Sequence, residues 1–156
     1  MPGDGPLVPD GMLETLRRDI GFATPWRTIT VAPGEVHRFR SALDPAERET
    51  SPASDAEAPP TFFCPDPIIL SQALGWARHR PFPNTLDGGT RWEWHRALRA
   101  GDTVRLRAEI TDVSEKMGSA QTGRMFLTTI LVTCAALSGD VIARCWGTSI
   151  SYQGAS

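Results

Sequence analysis

The sequence predicts an α+β domain in which a curved antiparallel sheet wraps around one central helix. Three observations predict it. One strongly apolar helical pattern lies mid-chain, in CPDPIILSQALGWARHRP. Alternation of strand period fills nearly everything after it, and one short strand pattern, WRTITV, precedes it.

The chain has 156 residues, a length that suits one domain. Such a chain buries about two-thirds of its unfolded surface, enough for a core without disulfide staples. We read residues 1–24 as a tail with a short helix and 25–152 as a single domain. Lys+Arg 16 against Asp+Glu 18 leaves a net charge of −2, which gives no reason to expect nucleic acid or an anionic membrane as partner. Cys64, Cys134 and Cys145 lie far apart with no C-x-x-C pair, so neither a zinc site nor a disulfide framework is expected. The opening MPGDGPLVPDGM has no basic start and no apolar run, and no stretch approaches the ~20 apolar residues of a membrane span. A cytoplasmic location is the expectation.

Leu13, Leu16 and Ile20 recur at helical spacing, with Gly21 as the stop. Residues 26–31 alternate as a strand, Pro33-Gly34 reads as a turn, and EVHRFRSAL as a short helix with Val36, Phe39 and Leu43 on one face. Residues 44–60 hold almost nothing that packs and are expected to form a charged, mobile loop. The apolar helix, 66–80, starts at Asp66 as N-cap with Pro67 in the first position. Four strands should follow. RWEWHRAL sets Trp92 and Trp94 against Arg91, Glu93 and His95, and VRLRAEIT sets Val104, Leu106, Ala108 and Ile110 against Arg105, Arg107 and Glu109. SEKMGSAQTG reads as a loop. RMFLTTILVTCAAL and VIARCWGTSISY, joined at Ser138-Gly139-Asp140, are apolar on both faces and belong in the middle of the sheet. One strand, a buried helix and four antiparallel strands is the order of a hot-dog fold.

Several segments together resemble the N-terminal domain of MaoC-like dehydratases. They are Ala58-Pro59-Pro60-Thr61-Phe62 ahead of the helix, the pair Trp92 and Trp94, Arg96-Ala97-Leu98, Gly101-Asp102-Thr103, and Glu115-Lys116-Met117-Gly118. VAPGEVHRFRSALDP is similar to that family's first helix, so the resemblance covers roughly 25–150. It implies an acyl thioester substrate, on coenzyme A or an acyl carrier protein. Active hydratases of the family carry D-x-N-P-x-H, whose Asp and His form the acid/base pair. Here the corresponding stretch is Asp44-Pro45-Ala46-Glu47-Arg48-Glu49, without the Asn-Pro or the His. The family's N-terminal half generally lacks the pair and works beside a second hot-dog domain that supplies it.

Addition or loss of water at an enoyl thioester needs a proton-transfer group and donors for the developing enolate oxygen. Asp87, beside Gly88-Gly89, and His95 are the candidate proton-transfer groups. The competing readings make Asp87 a turn cap and His95 an exposed strand histidine. His37 and His79 read as solvent-facing. The backbone around Asp66 and Gly88-Gly89 is the candidate hole, and Cys64, Trp76, Gly88, Gly89 and Trp92 are the candidate substrate contacts. Arg78, Arg80, Arg96 and Arg99 form either a rim for carrier phosphates or a solvated charge set. No metal or other cofactor is expected.

Hydration, dehydration or a related conjugate addition at an α,β-unsaturated acyl thioester is the leading function. A non-catalytic acyl-binding subunit of a heteromeric dehydratase and a hot-dog thioesterase are the alternatives. Sheet edges need covering, so the expected working form is a dimer, either of two copies or with another hot-dog subunit.

Overall fold

The computed structural model describes residues 11–62 and 81–154. The expected central helix, 66–80, lies outside the described residues. Element order is α1 (Met12–Arg17), β1 (Arg27–Thr30), α2 (Pro33–Leu43), a 3-10 turn at Pro45–Glu49, then β2 (Asn84–Trp94), β3 (Thr103–Met117), β4 (Arg124–Ala136) and β5 (Val141–Tyr152). The strands form one five-stranded sheet in the order β1-β3-β4-β5-β2, with every neighbouring pair antiparallel. β4 and β5 are interior strands, as their two-sided apolar pattern requires, and β1 and β2 are the edges.

Alternation builds the core. In β3, Val104, Leu106, Ala108 and Ile110 are buried while Arg105, Arg107 and Glu109 are half-buried on the other face. Cross-strand partners share a face, so Ala108–Val132–Cys145–Trp92 forms one inward row. One core cluster gathers Val31, Val36, Leu98, Val104, Leu106, Cys134 and Ile142. A second holds Leu16, Phe82, Ile110, Val113 and Phe126, so α1 is packed onto the sheet through Leu16. Phe82 and Phe126 stack there with ring centroids 5.6 Å apart.

Three local expectations are corrected. Pro33-Gly34 is the first turn of α2, not a separate turn, because proline's fixed φ suits the first helical position. β3 continues to Met117 through a bulge between Ile110 and Asp112, so Thr111 is the extra residue. The bulge shifts the alternation and turns Val113 inward, which is why a strict period-two reading ends the strand too early. The segment 44–60 is tied down. Asp44 accepts from the Ala46 N–H at 3.0 Å, Arg40 pairs with Glu47, and Arg48 Nε donates to the Ser41 carbonyl at 3.2 Å. Its far end is a strip of sheet-like pairing: Ala58 N donates to Leu98 O and Ala100 N to Ala56 O, both at 2.8 Å. Ala58 is buried in the first cluster. Backbone pairing anchors this segment where apolar side chains are scarce.

Asp102 closes the loop ahead of β3. Its Oδ2 accepts from Arg96 Nη1 at 2.8 Å and from the Arg99 N–H at 3.0 Å. Partial burial pushes its carboxyl up, but the bonds from Arg96 and Arg99 outweigh this and hold it below the usual range.

Two outcomes follow from this packing. Phe126→Ala should lower unfolding free energy by roughly 3–5 kcal/mol, read from urea denaturation, since it opens the Phe82 stack. Asp102's depressed carboxyl stabilises the fold above its unfolded pKa of about 3.9, and that stability is lost as pH falls through the folded value. The urea midpoints of wild type and Asp102→Asn should therefore differ at neutral pH and draw together as pH is lowered through the folded value; a gap that stays constant over that whole range would remove Asp102 from the acid response.

Candidate functional site

β2 carries most of the candidates, and its geometry begins with two glycines. Gly88 and Gly89 lie inside the strand as a bulge opposite Thr148, between the pairs Asp87↔Ser149 and Thr90↔Gly147. A Cβ on Gly88 would come within 3.0 Å of the Thr148 side chain and carbonyl oxygen, and Gly89 has φ +101°, a conformation that favours glycine. The pair exists so that this edge can approach β5 and kink there.

Asp87 is exposed, and its Oδ1 accepts from the Gly89 N–H at 2.8 Å, the two-residue bond of an Asx turn. By register it shares the core-facing side with Ser149 and Thr128, which makes a short polar row across three strands. His95 follows the last residue of β2. It is exposed, its Nε2 meets Glu93 Oε1 at 3.0 Å, and Glu93 also receives Arg144 Nη1 at 3.4 Å on the outward face. Asp87 and His95 are eight residues apart along an extended segment, about 25 Å at the strand rise. The fold does not bring them together. Each already has a local partner.

Trp92 and Trp94 point inward and stack, with centroids 5.3 Å apart and planes within 10°. Both pack on the first core cluster, and Trp92 also touches the one formed by Ala108, Ile130, Val132 and Cys145. The Trp92 indole Nε1 is shut off from water and, among the described residues, has no hydrogen-bond partner. An unpaired buried donor of this kind costs about 1–3 kcal/mol. Tryptophan spacing marks the face in the sequence, but only packing shows that the N–H is left over. Cys64, Trp76, His79, Arg78, Arg80 and the Asp66 N-cap lie outside the described residues. His37 is half-buried on α2.

Arg96 and Arg99, two of the four arginines expected at a phosphate rim, are engaged locally. Arg96 binds Asp102, and Arg99 Nη2 lies 3.5 Å from Glu57 Oε2. Glu115 hydrogen-bonds Arg124 across the β3–β4 hairpin, where the Arg124 guanidinium covers the Phe126 ring. Asp102 and Glu115, both within the motif series noted in the sequence, thus hold loops in place. Sequence reasoning did not assign them these partners, since a short motif does not say which arginine folds back onto it.

Cys134 sits in the first core cluster, and burial pushes its thiol up to about 11. It is no nucleophile at neutral pH. Among the described residues no group of three His, Cys, Asp or Glu side chains converges as metal ligands would, and no helix is long and apolar enough to cross a membrane. In peptide mapping after maleimide treatment at pH 8, Cys134 should stay unlabelled in folded protein and become labelled in denaturant.

Comparison with known proteins places this geometry in a family. Residues 18–144 match the family described as FAS1-like, dehydratase domain region. A UPF0336 protein of Thermobifida fusca (strain YX) is 38% identical over 82 residues, which are 49% of this chain and 51% of that relative. The match thus spans about half the length of the curated relative. Among solved structures, the ChsH1-ChsH2 complex from Mycobacterium tuberculosis is similar at TM-score 0.62 and 15% identity, covering 92% of this chain and 90% of that one. The HadBC (3R-hydroxyacyl-ACP dehydratase) complex from the same organism is similar at TM-score 0.60 and 19% identity, covering 85% and 96%. A MaoC-like dehydratase from Rhodospirillum rubrum is similar at TM-score 0.57 and 13% identity, covering 86% and 92%. These likenesses match the five-stranded antiparallel sheet described above. The chain belongs to the FAS1-like dehydratase region family and has the α+β hot-dog fold of MaoC-like dehydratases.

Proposed function

We propose that this chain is the acyl-binding half of a hot-dog pair that hydrates or dehydrates an α,β-unsaturated acyl thioester, carried on coenzyme A or an acyl carrier protein. The separation of Asp87 from His95 carries this reading. Acid/base work at adjacent carbons needs groups within hydrogen-bond reach of one substrate, and a separation of about 25 Å along the strand supports the reading that the two do not share a site. The stretch aligned with the family's D-x-N-P-x-H supports the same reading, because Asp44 and Glu47 are spent on a 3-10 turn and on Arg40.

The partner chain supplies the acid/base pair. β2 is an edge strand, so its outer backbone groups are available for pairing with a second hot-dog domain. The HadBC and ChsH1-ChsH2 complexes, each of two components, support a heteromeric arrangement. On this chain, the Trp92 N–H, which has no acceptor among the described residues, is the donor assigned to an oxygen of the bound acyl group, and the Trp92–Trp94 stack gives an apolar wall beside it. Gly88-Gly89 lets the thioester approach the backbone at the strand edge. Asp87 takes the proton-transfer role only if the chain turns over substrate by itself.

The test is hydration of a short enoyl thioester, followed by loss of the conjugated thioester absorbance. The chain alone should bind a non-hydrolysable acyl thioester analogue and show no turnover, and a second hot-dog subunit from the native host should restore it. Trp92→Phe keeps the stack and should weaken analogue binding roughly 2–10-fold, the worth of one hydrogen bond. Turnover by the chain alone that falls about 10²–10⁴-fold in Asp87→Asn would overturn the subunit reading and make Asp87 the general acid or base.

A further inference from the structure

The outward face of the sheet carries a second group of residues that no thioester chemistry uses. Arg105 and Arg107 are two apart on β3 and project from the same side, away from the core. Both flank one ring, with the Arg105 guanidinium carbon 5.1 Å and that of Arg107 5.9 Å from the centre of Trp26. Trp26 is 40% exposed. Among the described residues, the Nε atoms of both arginines are closed off from water without a hydrogen-bond partner, and neither guanidinium has an ion pair.

The other arginines at the candidate rim contrast with them. Arg96 and Arg99 each hold a carboxylate, and Arg144 holds Glu93. Around Arg105 and Arg107 the same face offers hydroxyls. Thr28 is the cross-strand partner of Arg105 on β1, and Thr133 is that of Arg107 on β4, with Arg144 next in the row on β5. The nearest carboxylate along this side of β3 is Glu109, two residues beyond Arg107, and it forms no ion pair with it among the described residues. Two half-buried cations are thus held side by side against an aromatic ring with no ion pair to either among the described residues.

We propose that Arg105, Arg107 and Trp26 form a binding site for a phosphate-class dianion on the outer face of the sheet, apart from the acyl site. A single carboxylate suits one guanidinium fork, whereas a phosphate group offers oxygens to two forks at once. Thr28 and Thr133 stand beside the forks as further donors. Trp26 fixes both guanidiniums from one side and offers its exposed surface to whatever ring the phosphate carries. The site depends on pairing between β1 and β3, which brings Trp26 beside arginines about eighty residues away in the chain.

Calorimetric titration of the full chain at low salt tests it, with inorganic pyrophosphate and, separately, an adenosine bisphosphate as probes. One saturable site is expected, with a change in tryptophan fluorescence that Trp26→Phe removes while pyrophosphate affinity stays. Arg105→Lys and Arg107→Lys keep the charge and most of the packing, so they should fold, and each should weaken binding by about tenfold through loss of the fork. Arg48→Gln, on the 3-10 turn, should bind as wild type does. Tighter binding of the bisphosphate would assign the site to a phosphate ester whose ring lies on Trp26, and equal binding to a free polyphosphate. No saturable heat with either probe up to millimolar concentration would overturn the proposal, as would Lys variants with unchanged affinity or equal weakening by Arg48→Gln.

Discussion

β4 is hydrogen-bonded along almost its whole length on both sides, to β3 and to β5, and its register fixes which face every neighbouring side chain takes. Once Ile130 lies opposite both Ile110 and Gly147, the inward set Phe126, Ile130, Val132 and Cys134 follows by alternation. A slip of one residue would send Leu127, Leu131 and Thr133 inward and expose that set. Bulges adjust this frame without breaking it. The one at Thr111 brings Val113 to the core, and the shift between Cys134 and Ala135 lets both residues be buried at the hairpin end.

The same alternation gives the sheet two chemically different sides. The inward side presents the tryptophan stack, small residues such as Ala108, Ala143 and Gly147, and the polar row of Asp87, Ser149 and Thr128 at one edge. The outward side presents arginines, threonines and the faces of Trp26 and Trp146, with the Arg91 guanidinium 4.1 Å above the latter ring. Neither set is chosen independently of the other, because each strand must supply both.

Glycine at 88 shows how edge geometry and chemistry are linked. The kink needs the absence of a side chain against Thr148, and the Asp87 carboxylate then finds the Gly89 N–H within reach.

What the sequence determined by itself was whatever depends on local period and local turn chemistry. Alternation in β3, β4 and β5, the Ser138-Gly139-Asp140 turn, the inward pair Trp92 and Trp94, and the interior place of β4 and β5 could all be read from residue order. The motif series from Ala58 to Gly118 likewise pointed to the hot-dog fold. Tertiary structure alone decided the contacts between distant residues. It paired Ala56–Ala58 with Leu98–Ala100, so a segment with few apolar residues is anchored through its backbone. It committed Arg96 and Arg99 to Asp102 and Glu57, placed Trp26 beside Arg105 and Arg107, and left the Trp92 N–H without an acceptor among the described residues. The physical reason is that period sets the side a residue faces, whereas its partner is set by how strands far apart in the chain are brought into register.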